Sequence, residues 1–197
     1  MTTSLDALEA KLAGRSPTLS EPPDEIGSHA AVALLLAESP NGVELLFIER
    51  ARRPGDHWSG DMAFPGGRRQ AEDVDIAATA AREVREEIGV ELPPPMARLD
   101  DYDARTGRRP WPLLVSLFAY RLPDMPAMRL NHEVESVVWT SLDRLTDPQA
   151  ATRHRFPRAG THVVMPAVAL DERVVWGMTY TMLSGFLDAI ERPFPNR

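Results

Sequence analysis

Gly66–Val90 reads GGRRQAEDVDIAATAAREVREEIGV. The glycine pair makes a sharp turn, Asp75 can cap a helix start, alanines fill the body, and Gly89 stands where a left-handed stop belongs. A helix over Asp75–Ile88 is expected. At about 100° per residue, Glu83, Glu86 and Glu87 share one arc of roughly that width. Ala77, Ala80, Val84 and Ile88 cluster about 100° further round. The helix can then bury its apolar side and line a groove with carboxylates. Three carboxylates this close repel one another and raise each other's pKa. A divalent cation relieves the repulsion, and oxygen-only donors suit Mg²⁺ or Mn²⁺, ions that also hold substrate phosphate. Arg82, beside Glu83 and four residues before Glu86, can orient a carboxylate. For the helix alone, a solvated face of Arg–Glu pairs explains the pattern equally well. The glycine turn changes the balance: Gly67, Arg82, Glu83, Glu86, Glu87 and Gly89, taken as six required residues at about one in twenty each, match by chance in such a chain with a probability of order 10⁻⁶ to 10⁻⁵.

Working outward, Ala30–Ala37 and Val43–Arg50 are apolar runs about an Asn41-Gly42 hairpin signal. Arg52–Asp61 reads as a polar loop, Met62–Phe64 as a short strand and Pro65-Gly66-Gly67 as a turn. Downstream, strands are expected at Ala97–Asp103, Leu113–Arg121, Val134–Thr140, Val163–Leu170 and Arg173–Trp176, then a helix near Met178–Ile190. Met178, Met182, Leu183, Phe186 and Ile190 follow helical spacing and read as core. An opening helix over Thr3–Ala13 sets Leu5, Leu8 and Leu12 at the same spacing, with Gly14 as its stop. This order predicts α+β or a mixed-sheet sandwich.

With 197 residues, 43% apolar and 26% charged, the chain suits one globular domain with at most an appendage. It has no cysteine, which excludes disulfides, zinc–thiolate sites and a cysteine nucleophile. The longest apolar run, Ala30–Ala37, falls far short of the roughly 20 residues that span a bilayer. The N-terminus carries Asp6 and Glu9 and no apolar signal core, so a cytoplasmic location is expected, without a membrane partner. A net charge of −7 argues against nucleic acid as partner. The apolar strands near the N-terminus offer pairing edges for a homodimer.

The stretch resembles the Nudix box, Gly-x₅-Glu-x₇-Arg-Glu-U-x-Glu-Glu-x-Gly-U, where U is bulky and aliphatic. Arg82-Glu83-Val84-Arg85-Glu86-Glu87-Ile88-Gly89-Val90 meets every specified position of its second half. The first half departs: fourteen residues, not thirteen, separate Gly67 from Arg82, and the early acid is Asp73. The extra residue and Phe64-Pro65-Gly66-Gly67 resemble the coenzyme A diphosphatase branch. So does Leu45-Leu46-Phe47-Ile48-Glu49-Arg50 ahead of a loop ending Gly60-Asp61-Met62-Ala63-Phe64, and so does Trp176-Gly177-Met178-Thr179. Ala51 and Asp61 depart from that branch, which typically has serine and glutamine there.

The resemblance implies the Nudix fold, an α/β/α sandwich with a mixed sheet between helices. Residues 29–191 would form the hydrolase domain, after an N-terminal helix and proline-rich lead-in over 1–28. Glu86, Glu87 and the Gly66 carbonyl would hold the metal, and Glu83 would be a third ligand or the base that activates water. Arg82 would orient Glu83, while Asp73 and Gly89 would serve the motif's structure. Glu133 is a candidate extra ligand or base. Arg50 and Gly67 are the candidate substrate contacts. The implied reaction is Mg²⁺- or Mn²⁺-dependent hydrolysis of a small-molecule diphosphate, coenzyme A or its acyl derivative, to 3′,5′-ADP and 4′-phosphopantetheine. Two other readings stand beside it: a diphosphatase for ADP-ribose, a dinucleotide or a nucleotide sugar, and a non-catalytic Nudix-fold binding module. Arg52 and Arg53 read as solvated loop charges, and Arg105, Arg108 and Arg109 beside Trp111 as a surface loop. His57-Trp58 reads as solvated or as part of the substrate mouth. Arg153–Arg158 is balanced between a flexible basic loop and a 3′-phosphate contact.

Overall fold

The computed structural model describes residues 4–55, 58–104, 113–158 and 161–194. In chain order these form α1 (Leu5–Ala13), β1 (His29–Ser39), β2 (Gly42–Arg50), β3 (Met62–Ala63), β4 (Gly66–Arg68) and α2 (Ile76–Ile88). There follow β5 (Ala97–Arg98), β6 (Tyr102–Asp103), β7 (Leu114–Arg121), β8 (Val134–Ser141), α3 (Leu142–Leu145), β9 (Ala151–Arg158), β10 (Thr161–Leu170), β11 (Arg173–Trp176) and α4 (Gly177–Ala189).

Alternation along β1 assigns the helices to its two faces. Ala31, Ala33, Leu35 and Ala37 pack with Ala80, Val84 and Ile88 of α2. Ala30, Leu34 and Leu36 pack in the other core with Leu5, Leu8 and Leu12 of α1 and Met182, Leu183, Phe186 and Leu187 of α4. Val84 and Ile88 are fully buried, each worth about 1.5–3 kcal/mol relative to exposure. The result is an α+β fold, a mixed sheet between helices. β9, β10 and β11 form a separate antiparallel sheet whose Val168, Leu170 and Val175 join the α1–α4 core. Arg173 ties the two sheets by donating to Glu49 at 2.8 Å.

The centre of the large sheet is a fork. β1 runs parallel to β7 on one edge and pairs with β2 on the other only between Leu36↔Leu45 and Ser39↔Gly42. Beyond that the two strands diverge. β4 fills the gap against β1, and β3 fills it against β2. Pro65-Gly66-Gly67 is therefore no simple turn: Gly66 and Gly67 are strand residues wedged into the sheet opposite Val32 and Ala31. The fork places the glycine pair against α2.

Four more expectations are corrected. Ala97–Asp103 is not one strand but two short ones, broken where the side chains of Asp100 and Asp101 accept from the N–H groups of Thr18 and Ser20. Those bonds fasten the lead-in to the sheet. Residues 151–158 form β9 and not a loop, because β10 pairs along their whole length. The closing helix starts at Gly177 and the opening one at Leu5, where Ser4 accepts from the Ala7 N–H. β1 and β2 are interior strands with chain on both edges, so they offer no pairing edge to a second copy. Thr3, His57 and the Arg105–Trp111 group lie outside the described residues.

Candidate active site

Angular position on α2 grades the three glutamates. Glu87 lies nearest the apolar stripe and is 5% exposed. Glu83 lies further round, its side chain 14% exposed, and Glu86 points almost directly away, at 48%. Asp75 caps the helix by accepting from the Ala78 N–H at 2.7 Å, and Gly89 ends it in the left-handed conformation.

The position of Gly66 requires glycine, and Gly67 makes room for a carboxylate. Gly66 has φ 152°, and a Cβ there would stand 2.2 Å from the Ala31 carbonyl. At Gly67 a Cβ would lie 2.4 Å from Glu83 Oε1, so only a bare backbone lets that carboxylate approach. The Gly66 N–H donates to Glu87 Oε2 at 3.0 Å. Since the Ala33 N–H donates to the Pro65 carbonyl, the alternation of the ladder turns both polar groups of Gly66 away from β1. Its carbonyl thus faces the same side as the N–H that holds Glu87.

Arg82 organises the other flank. Its guanidinium donates to both oxygens of Asp73 (2.9 and 3.2 Å), to Glu83 Oε1 (2.9 Å), to Glu86 Oε2 (3.2 Å) and to the Arg68 carbonyl (3.0 Å). Asp73 also accepts from Thr79 Oγ1 and the Gln70 N–H, each at 2.9 Å. Burial pushes the Asp73 carboxyl up, but these bonds outweigh it and hold it at about 2. Burial pushes Glu83 up against the counterweight of Arg82, with the charges of Glu86 and Glu133 adding to the rise. Glu87 is driven to about 8, chiefly by burial, against the Gly66 hydrogen bond and with Glu83 and Glu133 repelling it; Arg50 works the other way.

The sequence candidates therefore converge: Arg50 and Glu133 reach the field of Glu87 from the end of β2 and the start of β8. Sequence reasoning missed one link. Arg53 is not simply solvated but donates to Glu133 Oε1 at 3.2 Å, spanning the loop after β2 and the entry to β8. It also missed that two features read as separate branch resemblances touch: Trp176 Nε1 donates to Asp61 Oδ1 at 3.0 Å.

The donor chemistry suits a hard divalent ion. Glu83, Glu86, Glu87 and the Gly66 carbonyl supply only oxygen, and a cation would relieve the buried, mutually repelling carboxylates. Among the described residues no three acidic or histidine side chains are drawn close enough together to grip an ion. Glu86 is held by Arg82 instead, so gathering the set around an ion means exchanging that partner.

A family model, the NUDIX domain, matches residues 27–159. The chain belongs to the Nudix family. Among its relatives, a mouse protein named mitochondrial coenzyme A diphosphatase NUDT8 is 30% identical over 143 residues, covering 68% of this Nudix chain and 65% of the relative. A Schizosaccharomyces pombe protein named a probable nudix hydrolase is 27% identical over 177 residues, covering 88% of this chain and 60% of its own. The chain thus spans somewhat under two thirds of the length of either. A solved MutT/nudix family protein from Enterococcus faecalis superposes with a TM-score of 0.59 at 15% identity, covering 96% of this chain and 70% of that one, a likeness of fold. No described helix is long and apolar enough to cross a membrane.

Proposed function

We propose that this Nudix chain hydrolyses the diphosphate of coenzyme A or an acyl-coenzyme A, using Mg²⁺ or Mn²⁺, to 3′,5′-ADP and 4′-phosphopantetheine or its acyl derivative. The observation that supports the hydrolytic part is the approach of Glu83 to Gly67 and of Glu87 to Gly66, with Glu86 joined to Glu83 through Arg82. The substrate part is supported by the fourteen-residue spacing from Gly67 to Arg82 and by the likeness to the mouse relative.

Glu83, Glu86, Glu87 and the Gly66 carbonyl would hold the cation. When bound, such an ion would supply charge neutralisation for the diphosphate oxygens and a lowered pKa for its bound water. Arg50, already within the field of Glu87, grips a phosphate of the substrate. Arg82 fixes the orientation of Glu83, and Glu83 or Glu133 takes the proton of the water that attacks phosphorus in line. The reading keeps the cytoplasmic expectation, whereas the mouse relative is named mitochondrial; fractionation of the native host decides between them.

Ala51 and Asp61 favour a second reading, the same chemistry on ADP-ribose, a dinucleotide or a nucleotide sugar. The test offers the purified protein coenzyme A, acetyl-coenzyme A, ADP-ribose, NADH and a dinucleoside polyphosphate with either metal, products being identified by mass. The proposal expects 3′,5′-ADP to appear fastest from a coenzyme A substrate and Glu86→Gln to lose turnover. A faster reaction with another diphosphate replaces the substrate, and no turnover with either metal leaves a binding module.

A further inference from the structure

Four rings from three segments meet beside the loop that follows β2. Trp58 stacks on Phe156 with centroids 5.9 Å apart and planes 6° apart, and stands 6.0 Å from Trp176. Phe156 lies 5.1 Å from Trp176, and His154 stacks on Trp176 at 4.3 Å and 21°. Trp176 is 8% exposed, whereas Trp58 keeps 45% of its surface in water. Trp58 thus stands half-exposed at the rim of a cluster whose other tryptophan is buried.

We propose that Trp58, with Phe156, Trp176 and His154 behind it, is a stacking platform for the planar base of the substrate's nucleoside. The cluster is anchored to the catalytic groups. Trp176 donates to the Asp61 side chain, and the Asp61 carbonyl accepts from the Arg50 N–H at 3.0 Å, at the strand end whose guanidinium acts on Glu87. Strand alternation turns His154 and Phe156 to the ring cluster and sends Arg153 and Arg155 to the opposite face of β9. Trp58 and Phe156 are near-parallel, and Arg153 and Arg155 face away from them, an arrangement suited to a neutral heteroaromatic base. Stacking tolerates any base because each has a π-face. The inference rests on the diphosphatase reading only in requiring a ligand that carries a base.

The test is run on the full chain without metal, so that failure of the hydrolysis assay does not affect it. AMP and ribose 5-phosphate are titrated separately, and the AMP base protons are followed by NMR. The platform predicts tighter binding of AMP than of ribose 5-phosphate, with upfield ring-current shifts of H2 and H8. Trp58→Leu should weaken AMP about tenfold and remove the shifts, leaving ribose 5-phosphate unchanged. Trp58→Phe should restore most of the affinity, and Phe156→Leu should show a smaller loss than Trp58→Leu. In the hydrolysis assay, Trp58→Leu should raise KM for adenine-containing substrates and spare kcat. Equal binding of AMP and ribose 5-phosphate, or base-proton shifts that survive Trp58→Leu, would overturn the proposal. So would an affinity that depends on Trp58 and on acyl length but not on the base, which would give the platform to the acyl arm.

Discussion

Two arginine–carboxylate links lie at the candidate site around α2, and they differ in everything but chemistry. Arg82–Asp73 is buried, with side chains 12% and 4% exposed, and Arg82 makes five hydrogen bonds in all. Arg53–Glu133 is a single contact between side chains 42% and 45% exposed. Burial and bond count turn the first into a fixed strut between the Gln70–Asp75 loop and α2. Water and chain entropy leave the second a contact that can open. The strut orients Glu83 beside Gly67, whereas Glu133 is held only by an exposed contact.

The largest expected effect comes from breaking the strut. Arg82→Leu leaves Asp73 buried with no guanidinium to hold it and should cost about 3–5 kcal/mol in denaturant unfolding. Arg82→Lys should recover only part of this, since an ammonium cannot bridge both Asp73 oxygens and Glu83 at once.

Acid titration of the same strut comes next. The folded pKa of Asp73 lies at about 2, below its ordinary 3.8, so its contribution is complete above the ordinary value and is lost as pH falls towards 2. Asp73→Asn should remove roughly 2 kcal/mol of pH-dependent stability. Unfolding curves of the two proteins between pH 5 and pH 2 (about the span of both values) should then converge on the acid side.

Glu87→Gln tests what lies between the two links. An amide can still accept from the Gly66 N–H, and it removes a carboxylate from a buried, like-charged setting. Without metal, this variant should be more stable than the parent by about 2 kcal/mol. It should also lose any rise in melting temperature that Mg²⁺ gives the parent, together with turnover. A metal-dependent rise that persists in Glu87→Gln would remove Glu87 from the ligand set.

The smallest effect belongs to the open link. Arg53→Ala should change stability by no more than about 1 kcal/mol. If Glu133 acts as the base, Arg53→Ala should nonetheless shift the acidic limb of the kcat pH profile, and Glu133→Gln should abolish that limb. An unchanged profile in both variants assigns the proton to Glu83.

Helix α2 was legible residue by residue. Its cap, its stop and the arc of its glutamates depend on spacing within one element, and a helix's period is set locally. The long strands β1, β2, β7 and β8 were legible from their apolar runs. What stayed hidden depends on partners distant in the chain. Gly66 and Gly67 look like a turn because their extended conformation is imposed by the fork between β1 and β2. Residues 151–158 carry a visible alternation of Thr152, His154 and Phe156 with Arg153 and Arg155, but their charge and Pro157 suggested a loop until β10 supplied the ladder. Arg53 looked like one more loop charge because Glu133 stands 80 residues away.

By itself the sequence determined the helix and the arc of its glutamates from local period, and an α+β order of elements from strand and helix patterns; the family came from the resemblance carried by Gly66–Val90. Only the tertiary structure decided how deeply each glutamate is buried, and hence that Glu87 carries the costliest charge. It also decided that Asp61 meets Trp176 and that four rings assemble beside Arg50. Burial and long-range contact depend on which surfaces the packed elements cover, and no window of neighbouring residues contains that information.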